Sequence, residues 1–176
     1  RFPEPRVAPG DAPAKVTIAG DTIAAITLTY PERPRDAEAL LIDPVSGDVV
    51  LVSKDNDGGS EIFRAPAPLD DGAKVVLTKI GDLDVRALGG SPLITGGDIS
   101  PKGDVVLLRT YDRMHLFRRG ADSDIARMFD SGFTAPSAEE PQGESVAWAT
   151  DGLGFYTLSE RSNQPLYFMG LTADCR

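Results

Sequence analysis

The chain of 176 residues carries 27 acidic against 18 basic side chains, a formal net charge of −9. Such a surface repels a nucleic-acid duplex or an anionic membrane, and no basic cluster longer than Arg118-Arg119 offsets it. No run approaches the roughly 20 apolar residues that span a bilayer; the richest, Ile23-Ala-Ala-Ile-Thr-Leu28, is far too short.

The opening Arg1-Phe-Pro-Glu-Pro5 has no methionine and none of the sections of a signal peptide. Either a leader has been removed or the numbering begins inside a longer protein. Pro3, Pro5, Pro9 and Pro13 predict an extended, irregular segment over residues 1–21. From there to the end, β-branched and aromatic runs punctuated by Gly and Pro predict strands at 22–30, 38–43, 48–54, 60–65, 74–80, 93–99, 105–111, 114–119, 144–149, 154–160 and 164–170. One segment departs from this pattern. Ile125, Met128 and Phe129 stand at helical spacing behind Ser123 as N-cap, which predicts a short helix over 123–130 before an outer strand near Phe133. Cys175 is the only cysteine, so no disulfide forms within these residues. It is either a free thiol or the partner of a cysteine outside them.

A motif occurs three times: a short apolar stretch with polar residues at its start, a Gly turn and a second apolar strand. The copies are Asp36-Ala-Glu38 through Gly47 to Ser53, Thr95-Gly-Gly-Asp98 through Gly103 to Tyr111, and Gln142-Gly-Glu144 through Gly152 to Glu160. Aligned on Glu38, Thr95 and Glu144, they are 57 and 49 residues apart, a spacing that suits four-stranded propeller blades with variable loops. The predicted fold is therefore all-β, a β-propeller of four-stranded antiparallel blades at about 36–80, 93–135 and 144–171. The last has three strands, and 22–30 is one strand without a blade before it. Two full and two partial blades do not close a ring, which predicts that residues 1–176 are a C-terminal portion of one. It also predicts that 22–30 and 164–170 are covered by protein outside these residues, either the N-terminal part of the same product or a second polypeptide.

The run Tyr30-Pro-Glu-Arg-Pro-Arg-Asp36-Ala-Glu38-Ala-Leu-Leu-Ile-Asp43-Pro44-Val-Ser-Gly47-Asp48 resembles a group of secreted bacterial β-propeller proteins, many of them actinobacterial. So do Phe63-Arg-Ala-Pro-Ala-Pro68, Thr95 to Gly103 with Leu108-Arg109-Thr-Tyr111, and Pro141-Gln-Gly-Glu144. The resemblance covers most of 22–170 and implies export, to the medium or the periplasm, and a ring of roughly six blades. It implies no particular reaction. More distantly, the Asp-x-Glu start of an inner strand is similar to calcium-dependent propeller phytases, whose clustered acidic phosphate site has no recognisable counterpart here.

In a propeller the first strand of each blade lines the central channel, so Asp36, Glu38, Asp98 and Glu144 are candidate ligands for a hard cation such as Ca²⁺, which would relieve their repulsion. The alternative is that these acids bond backbone amides or stand in water at a channel mouth. Arg109, Tyr111 and Gln142 are candidate ligand-binding residues, with a buried Arg–carboxylate pair as the alternative for Arg109. Asp55-Asn-Asp57-Gly58-Gly59 opens like a calcium loop, but its twelfth position is Pro66, which excludes an EF-hand. His115, the only histidine, is expected to be structural or at the surface, since no nucleophile-elbow pattern accompanies it. Trp148, Phe155, Tyr156, Tyr167 and Phe168 are expected to pack between blades, and the glycine pairs Gly89-Gly90 and Gly96-Gly97 lack the context of a phosphate loop. Two functions follow: an exported binding module without a complete catalytic constellation, or a calcium-dependent phytase-like or esterase-like hydrolase using the channel acids.

Overall fold

The computed structural model describes residues 1–6, 8, 10, 15–120, 124–130 and 132–172. Strands β2 (Ala37–Ile42), β3 (Val49–Ser53), β4 (Gly59–Ala65) and β6 (Thr78–Asp84) form one four-stranded antiparallel sheet, in that order. Strands β7 (Ile94–Ile99), β8 (Val105–Thr110), β9 (Arg113–Arg118) and β10 (Gly132–Pro136) form a second. A third contains β11 (Gly143–Trp148), β12 (Gly154–Ser159) and β13 (Leu166–Gly170). Two short strands, β1 (Thr27–Thr29) and β5 (Lys74–Val76), pair in parallel. The three antiparallel sheets stack face to face, as consecutive propeller blades do.

Their inner strands β2, β7 and β11 lie side by side without a hydrogen-bonded ladder between them. The face of a sheet toward the next one along the chain is its forward face, and the opposite face is its rear. Leu41, Val50, Val52 and Ile62 on the forward face of the first sheet meet Ile94, Leu108 and Phe117 of the second. Leu107, Met114 and Leu116 on the forward face of the second meet Trp148 and Phe155 of the third. Covered on both sides, the middle sheet reads as an unbroken apolar run, Val105-Val-Leu-Leu, whereas β2 alternates, burying Ala39 and Leu41 but not Leu40 and Ile42.

The repeat inferred from sequence has a local signature. Each inner strand slips its register once against its neighbour: between Ala37 and Ala39, between Ile94 and Gly96, and between Gly143 and Ser145. The extra residue is Glu38, Thr95 and Glu144 in turn, the three positions on which the repeats align. A bulge bends the strand and re-aims the side chain it carries.

Several expectations are corrected. The single strand predicted at 74–80 is two: β5 pairs with β1, Leu77 is buried, and β6 then joins β4 and runs on to Asp84. Residues 22–30 do not form one strand, since a 3₁₀ turn covers Gly20–Thr22 and only Thr27–Thr29 is extended in a ladder. Nor does that segment lack cover within the chain. Ile26, Leu28 and Tyr30 pack on the rear of the first sheet around Phe63, where the Tyr30 and Phe63 rings meet edge to face at 4.9 Å. The helix expected at 123–130 is a 3₁₀ helix over Ile125–Asp130, with Ile125, Met128 and Phe129 buried; the Ser123 cap lies outside the described residues, as does Cys175. A further one-turn helix, Val85–Leu88, is capped by the Asp84 carboxylate accepting from the Ala87 amide. Among the described residues no sheet packs on Tyr156 and Phe168, expected between blades; they are 40% and 51% exposed on the forward face of the third sheet.

The side-by-side inner strands make a glycine prediction. A Cβ on Gly96 would stand 2.7 Å from the Glu144 carbonyl oxygen, a backbone atom that cannot swing away. Gly96→Val is expected to lower unfolding free energy by about 1–3 kcal/mol in urea titrations. Gly20→Ala, where a Cβ meets nothing within 4 Å, serves as the near-neutral control.

Candidate functional site

The bulged residues gather at one end of the inner strands. Glu38, Leu40, Thr95, Gly96, Glu144 and Val146 line an open groove of about 430 Å³ there. The first sheet contributes Lys54, the residue just past β3. Its ammonium donates to Glu38 Oε1 at 2.8 Å and to Tyr111 Oη at 3.0 Å, joining the first sheet to the second. Burial opposes charge on Lys54, but the bonds to Glu38 and Tyr111 outweigh it and raise the pKa well above its ordinary value. Lys54 is thus a fixed cation at all ordinary pH.

The third sheet contributes Gln142, Glu144 and Glu160. The Gln142 side-chain amide donates to Glu144 Oε1 at 2.9 Å and to Glu160 Oε2 at 2.6 Å, so one neutral donor group spans two carboxylates. The Gln142 backbone is anchored through Ser159, whose hydroxyl donates to the Gln142 carbonyl at 2.7 Å and accepts from its amide at 3.0 Å. Glu38, Tyr111, Gln142 and Glu144 are therefore brought together around one mouth, in two hydrogen-bonded groups.

The other candidates are placed differently. Asp36 is exposed just before β2, and its carbonyl accepts from the Lys54 amide at 2.8 Å. Asp98 has both carboxylate oxygens taken by backbone, Oδ1 by its neighbour Ile99 at 2.8 Å and Oδ2 by Trp148 at 2.7 Å across the sheet interface. Its carboxylate ties β7 to β11, the amide-bonding alternative stated for the channel acids. Among the described residues, no three Asp, Glu, His or Cys side chains converge as a metal site would require. Asp36, Glu38, Asp98 and Glu144 thus do not form one cluster: two of them flank the groove, one faces solvent and one bonds backbone.

Arg109 is corrected outright as a ligand-binding residue. Its side chain is fully buried and ion-pairs with Glu140, whose other oxygen accepts from Thr157 Oγ1 at 3.2 Å. The guanidinium also donates to the Ser145 carbonyl at 3.0 Å. It occupies the place a Gly143 side chain would take. Arg109 is a strut between the second and third sheets.

His115 is buried on the other side of the second sheet, the structural of its two expected placements rather than the surface one. The Thr134 hydroxyl donates its only proton to the Leu88 carbonyl at 2.8 Å. It must therefore accept from His115 Nδ1–H, 3.1 Å away, which leaves Nε2 unprotonated and without a partner. Burial is the main cause holding the His115 pKa below 6.5; Asp112 opposes it and Arg113 adds to it.

Sequence reasoning missed Lys54, Glu140 and Glu160. Lys54 had a local signal, a lone cation directly after an apolar strand beside a strand beginning with acids. Glu140 had almost none, because it lies 31 residues from Arg109 in an irregular loop.

Among solved structures, the chain is similar to the crystal structure of Saccharomyces cerevisiae Sqt1, with a TM-score of 0.42 and 9% sequence identity over 84% of this chain and 39% of that one. The chain thus spans well under half the length of that protein. No family model matches the chain, and no curated protein matches it.

Two measurements check these assignments. Glu140→Gln leaves the Arg109 charge buried without its counter-charge, and is expected to cost about 3–5 kcal/mol of stability in denaturant titrations. For His115, the folded protein disfavours the proton that the unfolded chain accepts. Its contribution to stability is therefore complete above pH 6.5 and is lost as pH falls from there toward the lowered folded value. Melting temperature should decline from about pH 6.5 to pH 5, and His115→Gln should flatten that decline.

Proposed function

We propose that this protein is an exported binding module of the propeller class, and that its contact surface is the mouth formed by Glu38, Lys54, Tyr111, Gln142, Glu144 and Glu160. One observation carries the proposal: three successive inner strands each bulge at the same position beside one shared groove, and the outer two deliver Glu38 and Glu144 to it. The side chains are already oriented by one another, which lowers the entropy lost when a ligand docks. Lys54 neutralises Glu38, while Glu144 and Glu160 share only a neutral amide, so the groove favours a ligand bearing positive charge and hydrogen-bond donors. A basic peptide segment of a partner protein fits that chemistry. Export rests on the resemblance of residues 30–48 to secreted propeller proteins. On the same reading, blades outside these residues complete a ring of roughly six.

The test is isothermal titration of the protein with a lysine-rich peptide and with a glutamate-rich peptide of equal length. The lysine-rich peptide is expected to bind, more weakly as salt rises, and Glu144→Gln with Glu160→Gln to weaken it at least tenfold. Equal binding of both peptides, or binding unchanged in the double variant, removes the mouth as the contact surface.

A further inference from the structure

We infer that the forward face of the β11–β13 sheet is the seat of a further four-stranded antiparallel blade, supplied by polypeptide continuous with this chain. The inference rests on the propeller reading above and names the partner of a different surface.

Strand register makes the three sheets comparable position by position. On the second sheet, Asp98 pairs with Leu107 and Leu107 with Leu116, while Gly96 pairs with Arg109 and Arg109 with Met114. On the third, Ala147, Tyr156 and Phe168 repeat the first row, and Ser145, Leu158 and Leu166 the second. Leu107, Arg109, Met114 and Leu116 are at most 4% exposed, because the third sheet covers them. Their counterparts Tyr156, Leu158, Leu166 and Phe168 are 36–64% exposed. The first sheet repeats the covered pattern: Val50, Val52 and Ile62 lie at these positions and are at most 1% exposed. The same positions are apolar in all three sheets except for Arg109 and Arg64, and they are open only where no sheet follows.

The inner strand identifies the occupant. Gly96 lets β7 approach the β11 backbone closely, and Leu41 of β2 reaches over Gly97 of β7. Ser145 and Ala147, the matching positions of β11, are small and exposed, so they admit another inner strand at the same spacing. The outer edge of β13 is unpaired among the described residues, whereas the corresponding β4 and β9 each hold a fourth strand. A second copy joined head to tail does not fit, because the rear of the first sheet already bears Ile26, Leu28, Tyr30 and Val75. A blade continuing the stack meets each of these conditions.

The test uses the encoded protein from its natural start to its natural stop, with Cys175→Ser and either Leu158→Cys or Phe168→Cys, labelled with a maleimide in native buffer. Labelling is expected to be at least about 100-fold slower than at the exposed turn variant Lys102→Cys. Amide exchange of 156–158 and 166–170 in the unsubstituted protein, equally slow, guards against disturbance by the cysteines. Labelling at the Lys102→Cys rate overturns the inference. So does protection that vanishes on dilution, which would make a second copy the occupant, or an encoded protein with less than about 40 further residues of strand pattern. Rapid labelling together with intact binding of the lysine-rich peptide leaves the mouth as proposed and removes only the further blade.

Discussion

The structure depends on keeping β7 close beside both β2 and β11 without hydrogen bonds from strand to strand. Ordinary sheet neighbours are held by a ladder; these inner strands are held by absence of side chain and by a few directed polar links. Gly96 and Gly97 remove the Cβ atoms that would strike the Glu144 carbonyl and the Leu41 and Leu108 side chains. Thr95 Oγ1 then donates to the Gly143 carbonyl at 2.8 Å, and Asp98 accepts the Trp148 amide. Each link satisfies a backbone group of β11, as buried backbone polar groups require. The angle between sheets, and hence the groove, follows from these contacts.

The two sheet interfaces reach the same geometry by different chemistry. Where the first sheet presents Val52, the second presents Arg109 at the matching position, both completely buried. An apolar residue is therefore sufficient to fill that place. Burying a guanidinium there costs solvation that the pairing with Glu140 and the Ser145 carbonyl must offset. The loop before β11 carries Glu140 to the guanidinium, and Gly143, which follows it, leaves the guanidinium its space. That same loop presents Gln142 to the mouth, so the buried ion pair sets the position of the exposed polar group.

Burial divides the polar side chains of the inner strands by task. Thr95 and Asp98, directed between sheets, bond backbone and hold the stack. Glu38 and Glu144, on the same bulge positions as Thr95, bond other side chains at the groove. One repeat position thus serves as a strut in the middle sheet and as surface chemistry in the flanking ones. The turns on the opposite end are stabilised separately, by Asp43 bonding Val45, Ser46 and Arg119.

What was legible in the sequence was whatever depends on neighbours along the chain. Alternating apolar runs and Gly turns located most strands, and recurrence of the motif aligned Glu38, Thr95 and Glu144, the residues that bulge. These features follow from local backbone sterics and from the two-residue period of a strand. The split of 74–80 into β5 and β6 was not legible, because Lys74–Val76 pairs with a strand nearly fifty residues earlier and Thr78 onward pairs with β4. Nor was the fate of the acids: Asp98 and Glu144 look alike in sequence, yet one finds the Trp148 amide 50 residues away and the other a neighbouring glutamine. Arg109 and Tyr111 stand two apart in sequence, but β8 ends at Thr110, and the first is buried with Glu140 against the third sheet while Lys54 of the first sheet takes the second. Periodicity reports which way a side chain points from its own backbone; what it meets there is decided by the sheet packed against it.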